Sequence, residues 1–205
     1  MLIESRQVLD SRKKDIDNTT SLISKMKVEN ACIEKASIVL MIYNMIEGVI
    51  TVILGEFFSF LIDNNICIDE QSVELKNTIL QYYLIDMQKK SNKESLILLS
   101  NFRSAKKIQI PQYVEFSKKI NLYSGNLDAA EIRSLSKKFN VVYSGSQTDK
   151  NLLYIKNIRN KLAHGELKYS EACRDKTEEE IKSYSEIAYS YLLRVIKAFE
   201  NKYNI

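Results

Sequence analysis

The stretch KASIVLMIYNMIEGVITVILGEFFSFLIDNN, Lys35 to Asn65, constrains the fold of this chain more than any other. It is apolar over most of its length, contains no proline, and closes on Asp63, Asn64 and Asn65. A helix here, from about Ala31 to Ile62, must bury side chains on nearly all sides, as the central helix of a bundle does. A membrane span is the competing use. Asn44, Glu47 and Glu56 interrupt the segment. The cleanest runs, Ile38–Tyr43 and Val49–Gly55, fall well short of the ~20 apolar residues that a span needs. Polar groups in a bilayer core are costly, so the segment reads as a central helix of a soluble, cytoplasmic bundle with no membrane partner.

The remaining composition agrees with helices. Five glycines, one proline and no tryptophan leave few turn-forming residues for a sandwich or barrel. The 205 residues suit one well-buried domain spanning 1–205. A mild net charge of +4 does not mark a histone-like binder but leaves room for a local basic patch. Three widely spaced cysteines (Cys32, Cys67, Cys173) and a single histidine lack the spacing of a zinc site and point to a reducing compartment. No metal or cofactor is expected. Charges in MLIESRQVLDSRKKD occupy the place of a signal peptide's apolar run.

Apolar residues at Ile3, Val8, Leu9, Ile16, Leu22, Ile23 and Met26 predict a first amphipathic helix from about Ile3 to Asn30. A third helix starts near Asp69 or Ser72, and a shorter one spans about Asn92 to Ala105. Pro111 discourages helix at Ile110, and Gln112–Ile120 is ambiguous between a short helix and irregular structure. Asp128, with Glu131 three residues on, has the spacing of a capping box. The helix it starts presents Ile132, Leu135 and Phe139. Ser144–Asp149 reads as a loop, with Asp149 a cap for the next helix. Thr177 and Glu180 cap a final helix of about Glu178 to Asn201. The expected fold is an all-α helical bundle with two long N-terminal helices, shorter middle helices and two closing helices.

The stretch NIRNKLAHGE, Asn157 to Glu166, contains the only histidine, His164. As local structure it is a helix with Leu152, Ile155, Ile158 and Leu162 buried, ending near His164. Gly165 is then the left-handed residue past the end, and His164 sits favourably at the negative pole of the helix dipole. The same residues also suit chemistry on a phosphate. A histidine at a helix C-terminus is stabilised in its charged form and serves as a general acid or base near neutral pH. Arg159 supplies a permanent planar charge for a phosphodiester, and Asn160 offers both a donor and an acceptor. Five helical steps put Arg159 and His164 some ~140° apart. They share a cleft only if the helix end bends or a second copy completes the site, as a two-fold dimer does. Spacing alone leaves both readings open.

Arginine, asparagine, three residues and histidine at the end of a penultimate helix resembles the signature of the HEPN superfamily. "IYNMIEGVI" (Ile42–Ile50) and "SGNLDAAEIRSLSKKFNV" (Ser124–Val141) are similar to the bacterial MAE-type branch, where an aromatic–x–x–x–Glu–Gly helix and a Gly-Asn-Leu-Asp turn precede the motif. The resemblance implies a small all-α domain and a metal-independent endoribonuclease of toxin–antitoxin or phage-defence systems. It implies a homodimer whose two Arg159/Asn160/His164 sets line one cleft. RNA is the substrate, cut by its own 2′-hydroxyl to leave a 2′,3′-cyclic phosphate and a 5′-hydroxyl. His164 moves protons, Arg159 stabilises the phosphorane charge and Asn160 positions, with Tyr43 and Glu47 as supporting residues. Glu47 either holds Arg159 or another buried donor, or is a satisfied structural carboxylate at a helix crossing. Partners are a cognate antitoxin or a neighbouring defence protein. A toxin subgroup carries a tyrosine two residues after the histidine that its antitoxin modifies; here Glu166 stands there, with Tyr169 beyond. Some members only dimerise or bind a partner or RNA, which is the alternative function. The remaining tyrosines (Tyr154, Tyr184, Tyr189, Tyr191) fall on or beside apolar stripes. The basic run Ser104–Lys119 is either a solvated face or a track for an RNA backbone.

Overall fold

The structure, a computed structural model, describes residues 2–88, 91–103, 108–143 and 149–203. The loop expected at 144–148, the side chain of Asp149 and the first part of the basic run (104–107) lie outside the described residues. Among the described residues the secondary structure is helical throughout. Helices α1 (Ile3–Thr20) and α2 (Val28–Asp63) are followed by α3 (Val73–Met87), α4 (Asn92–Arg103), α5 (Tyr113–Ser117) and α6 (Ala129–Lys138). Helices α7 (Asp149–Ala163), α8 (Tyr169–Ala172) and α9 (Glu178–Tyr203) close the chain. Short 3-10 turns occupy Ile23–Lys25 and Ile68–Glu70.

Helix α2 is the axis on which the others pack. Ile38, Ile42, Ile46, Val49, Ile53 and Phe57 are all but fully buried. α1, α7, α8 and α9 lie along it, with Leu9, Leu152, Ile155, Leu192 and Val195 facing inward. By length and composition alone α2 would cross a membrane. In its middle, however, the exposed positions are Asn44, Thr51 and Ser59, so water-seeking groups occupy the face that lipid would meet. At its far end Phe57 packs edge-on against Phe139, just past the end of α6, and Phe199 of α9, with ring centroids 5.1 and 5.8 Å away. Phe58, Phe116 and Tyr82 join α2 to α5 and α3 through tilted ring contacts. Ion pairs tie α1 to α9: Arg6 with Glu200 at 2.6 Å and Lys13 with Glu186 at 2.7 Å.

The first helix is shorter than its apolar stripe predicts. It ends at Thr20 instead of Asn30, and α2 begins three residues early. The hydroxyls of Thr19, Thr20 and Ser21 donate back to the carbonyls of Asp15, Ile16 and Asn18, a competition with the helix ladder that favours its end. Buried Ile23 then anchors the turn. The ambiguous segment before Ile120 forms the short helix α5.

Elsewhere the caps stand where their residues predict. Ser72 accepts from the Leu75 N–H at 3.0 Å. Thr177 and Glu180 bond reciprocally, at 3.1 and 2.8 Å. Asp128 Oδ1 accepts from the N–H groups of Ala130 and Glu131, both at 3.0 Å. Glu131 does not reach back to it; its carboxylate accepts instead from the Ser124 N–H at 3.4 Å.

The second oxygen of Asp128 accepts from Lys156 on α7 at 2.7 Å, so one carboxylate both starts α6 and docks it on α7. Burial pushes this carboxyl up, but Lys156 and the two capping N–H groups outweigh it and hold the group below the usual carboxylate range. A group lowered in the folded state stabilises the fold above its unfolded value, about pH 4, and loses that contribution as pH falls through the lowered value. Asp128→Ala is expected to cost about 2 kcal/mol, cap and charge pair together. Asp128→Asn, which keeps a good cap, is expected to cost about 1 kcal/mol or less. Urea denaturation checks both, and the deficit of Asp128→Asn should shrink on acidification below about pH 4.

Candidate functional site

Tyr43 lies on the buried side of α2 with 0% of its surface exposed. Its hydroxyl donates to the Gly125 carbonyl at 2.8 Å and accepts from the Leu127 N–H at 3.2 Å. Both groups belong to the Gly-Asn-Leu-Asp turn, in which Gly125 takes φ +76°, open to glycine and strained for other residues. Burial and the charge of Glu47 push the Tyr43 hydroxyl up, while the Leu127 N–H and Arg159 pull the other way. The net rise keeps it neutral and able to donate. Two residues beyond Gly125, the turn enters Leu127 and then Asp128, whose pair with Lys156 fixes α7.

Arg159 lies three residues beyond Lys156 on the same helix. Its guanidinium carbon sits 4.8 Å from the centroid of the Tyr43 ring, a cation–π contact. Its Nη1 donates to Asn160 Oδ1 at 3.0 Å. Among the described residues Arg159 forms no ion pair, and the Asn160 amide nitrogen makes no hydrogen bond. The guanidinium is therefore aimed by a neutral ring and a neutral amide, and its charge is not cancelled by a carboxylate in contact. Tyr43 thus bonds the turn through its hydroxyl and meets the arginine of the motif with its ring.

His164 stands apart from this contact. α7 continues as α-helix through Ala163. The N–H of Glu166 then bonds the Lys161 carbonyl at 2.9 Å, and that of Gly165 bonds Leu162 at 3.2 Å, with Gly165 at φ +69°. This is a Schellman ending with glycine at its left-handed position, and His164 is the residue before it. Its side chain is exposed and, among the described residues, makes no hydrogen bond, ion pair or ring contact. Within one protomer, Arg159 faces α2 and His164 faces solvent.

Glu47 is half-buried rather than enclosed, because α2 leaves its Asn44–Thr51 side open. Among the described residues its one side-chain partner is the Tyr43 hydroxyl at 3.4 Å, a long contact, and it does not pair with Arg159. Solvent relieves the desolvation cost that a carboxylate inside an apolar helix would otherwise carry. Beside it, Thr51 Oγ1 meets the Tyr123 hydroxyl at 2.9 Å. The tyrosines outside the motif region pack: Tyr154 on Tyr184 at 5.1 Å, and Tyr191 bonded to Tyr143 at 2.7 Å. Among the described residues no three His, Cys, Asp or Glu side chains gather as metal ligands. A cleft of about 720 Å³ lined by Glu4, Gly55, Glu56, Ser59 and Tyr113 lies elsewhere along α2 and includes none of the motif residues.

A family model described as HEPN_MAE_28990-like HEPN matches residues 1–205. No curated protein and no solved structure matches the chain.

Removing the Tyr43 hydroxyl leaves the part-buried Gly125 carbonyl and the buried Leu127 N–H without their partner, at a cost of about 1–3 kcal/mol. Tyr43→Phe is therefore expected to lower stability by that amount in urea denaturation while the ring stays beneath Arg159. Tyr43→Leu, which also removes the ring, is expected to cost about 1 kcal/mol more.

Proposed function

This chain belongs to the HEPN_MAE_28990-like HEPN family, and on that premise we propose that it is a metal-independent endoribonuclease working as a homodimer. The observation that carries the reading is Arg159: a guanidinium pre-aimed by the Tyr43 ring and Asn160, with no carboxylate in contact among the described residues. An arginine so held is a ready receptor for a phosphodiester and for the charge that builds on it during transfer. The exposed imidazole of His164 at the end of the same helix needs a second copy to reach such a phosphate from the other side, and a two-fold axis through this face provides one.

On this reading two sets of Arg159, Asn160 and His164 face one another across a single cleft. One His164 accepts the proton of the RNA 2′-hydroxyl as that oxygen attacks the adjacent phosphorus. The other gives a proton to the departing 5′-oxygen. The phosphorus–2′-oxygen bond forms and the phosphorus–5′-oxygen bond breaks, leaving a 2′,3′-cyclic phosphate and a 5′-hydroxyl. Arg159 stabilises the phosphorane charge, and the Asn160 amide nitrogen is open to hold a non-bridging oxygen. Tyr43 positions Arg159. A cytoplasmic toxin or phage-defence effector, held in check by a cognate antitoxin or a neighbouring defence protein, fits this activity.

A second reading is a non-catalytic module that dimerises or binds a partner or RNA. The Schellman geometry favours it, since it accounts for His164 and Gly165 as a helix end alone.

Purified wild type, Arg159→Ala and His164→Ala incubated with tRNA and mRNA in EDTA separate the two. The enzyme reading expects cleavage by wild type with the ends named above, and losses of about a hundredfold or more in each variant with helicity and dimer retained. Intact RNA in every arm supports the second reading, and undiminished cleavage by His164→Ala would sink the catalytic role given to His164.

A further inference from the structure

Gly48 sits in the middle of α2, where glycine is the least favourable residue after proline. The structure gives a reason for it. A β-carbon at that position would lie 2.7 Å from Cζ and Nη2 of Arg12 and 2.8 Å from its Nη1. The guanidinium of Arg12 rests directly on the bare backbone, and its Nη1 donates to the Asn44 carbonyl at 2.6 Å. Arg12 comes from α1, far from the motif in sequence.

Several cations that bridge separate segments are neutralised: Arg6 by Glu200, Lys13 by Glu186, Lys119 by Asp86, Lys156 by Asp128. Among the described residues, Arg12 and Arg159 form no ion pair. They bracket one strip of α2 from its two sides. At about 100° per residue, Tyr43 and Gly48 are ~140° apart around α2, with Glu47 and Asn44 between them at about 40° and 100°. Arg159 stands over Tyr43 and Arg12 over Gly48, so the two guanidiniums flank an open strip of helix. Glu47 within that strip is drawn to the Tyr43 hydroxyl and pairs with neither arginine.

We propose that Arg12, seated on Gly48, is a second phosphate contact of the RNA-binding face, engaging a backbone phosphate next to the one held by Arg159. The inference rests on the ribonuclease reading and extends it: the single-stranded RNA lies across α2 from α7 towards α1. Arg12 binds substrate backbone and does not take part in proton transfer. Gly48 acts through Arg12 alone.

The test uses a fluorescent single-stranded oligoribonucleotide and the full chain carrying His164→Ala, so that binding is read without cleavage. Arg12→Gln is expected to weaken binding about fivefold or more and to reduce the salt slope by about 0.7, the value for one single-strand phosphate contact. Arg12→Lys, which keeps the charge, should retain more of the slope. Gly48→Ala adds a better helix former yet displaces the guanidinium, so it should weaken binding while the thermal midpoint holds or rises. That combination cannot come from a merely structural role. Unchanged affinity and salt slope in Arg12→Gln and Gly48→Ala, with the parent protein binding RNA, would overturn this inference alone. If the parent protein binds no RNA, the ribonuclease reading and this inference both fall.

Discussion

The hydroxyl of one buried tyrosine organises the candidate site. Tyr43 comes from the central helix, and the groups it bonds, the Gly125 carbonyl and the Leu127 N–H, come from a turn about eighty residues later. That turn delivers Asp128, which caps α6 and grips Lys156. The grip sets α7, and α7 returns Arg159 to the face of the Tyr43 ring. The loop of contacts closes on the residue where it began. Each link uses a group that would be costly to bury unpaired, so the segments hold one another in register.

The placement of charge follows from this arrangement. An arginine fixed by a carboxylate has much of its field cancelled at the contact; one fixed by an aromatic face and an amide keeps it for a ligand. Among the described residues Arg12 on α1 is fixed without a carboxylate too, by a backbone carbonyl and the space that Gly48 leaves. The surrounding fold spends its acidic residues on other cations, such as Arg6 and Lys13. On the proposed mechanism these two guanidiniums are where RNA phosphates dock, and the imidazoles of two copies do the proton work between them.

Much of this architecture was legible in the sequence because it is local. The all-α fold, the caps at Ser72, Asp128 and Thr177, the glycine ending α7 and the buried stripe of Leu152, Ile155, Ile158 and Leu162 follow from short-range rules. The resemblance of the Ile42–Ile50, Ser124–Val141 and Asn157–Glu166 segments pointed to the family that the whole chain matches. What the sequence hid was non-local or unpunctuated. No glycine or proline marks the end of α1 at Thr20; hydroxyls bonding back to the helix do. Glu47 looked enclosed because α2 is so apolar, yet one side of the helix is open. Nothing in spacing ties Arg12 to Gly48 or Tyr43 to Gly125, since those contacts have no period to read. The helix that carries Arg159 and His164 gives each a different side, as their spacing predicts, and a single protomer does not bring them into contact.

That separation makes the dimer the central claim, and a mixed dimer tests it most directly. Differently tagged wild-type and His164→Ala chains can be co-expressed and the heterodimer purified by both tags. If one cleft draws its base and its acid from two copies, the heterodimer should cleave RNA little better than the His164→Ala homodimer. A heterodimer with about half the wild-type activity would mean that each protomer carries a complete site, and would contradict the account.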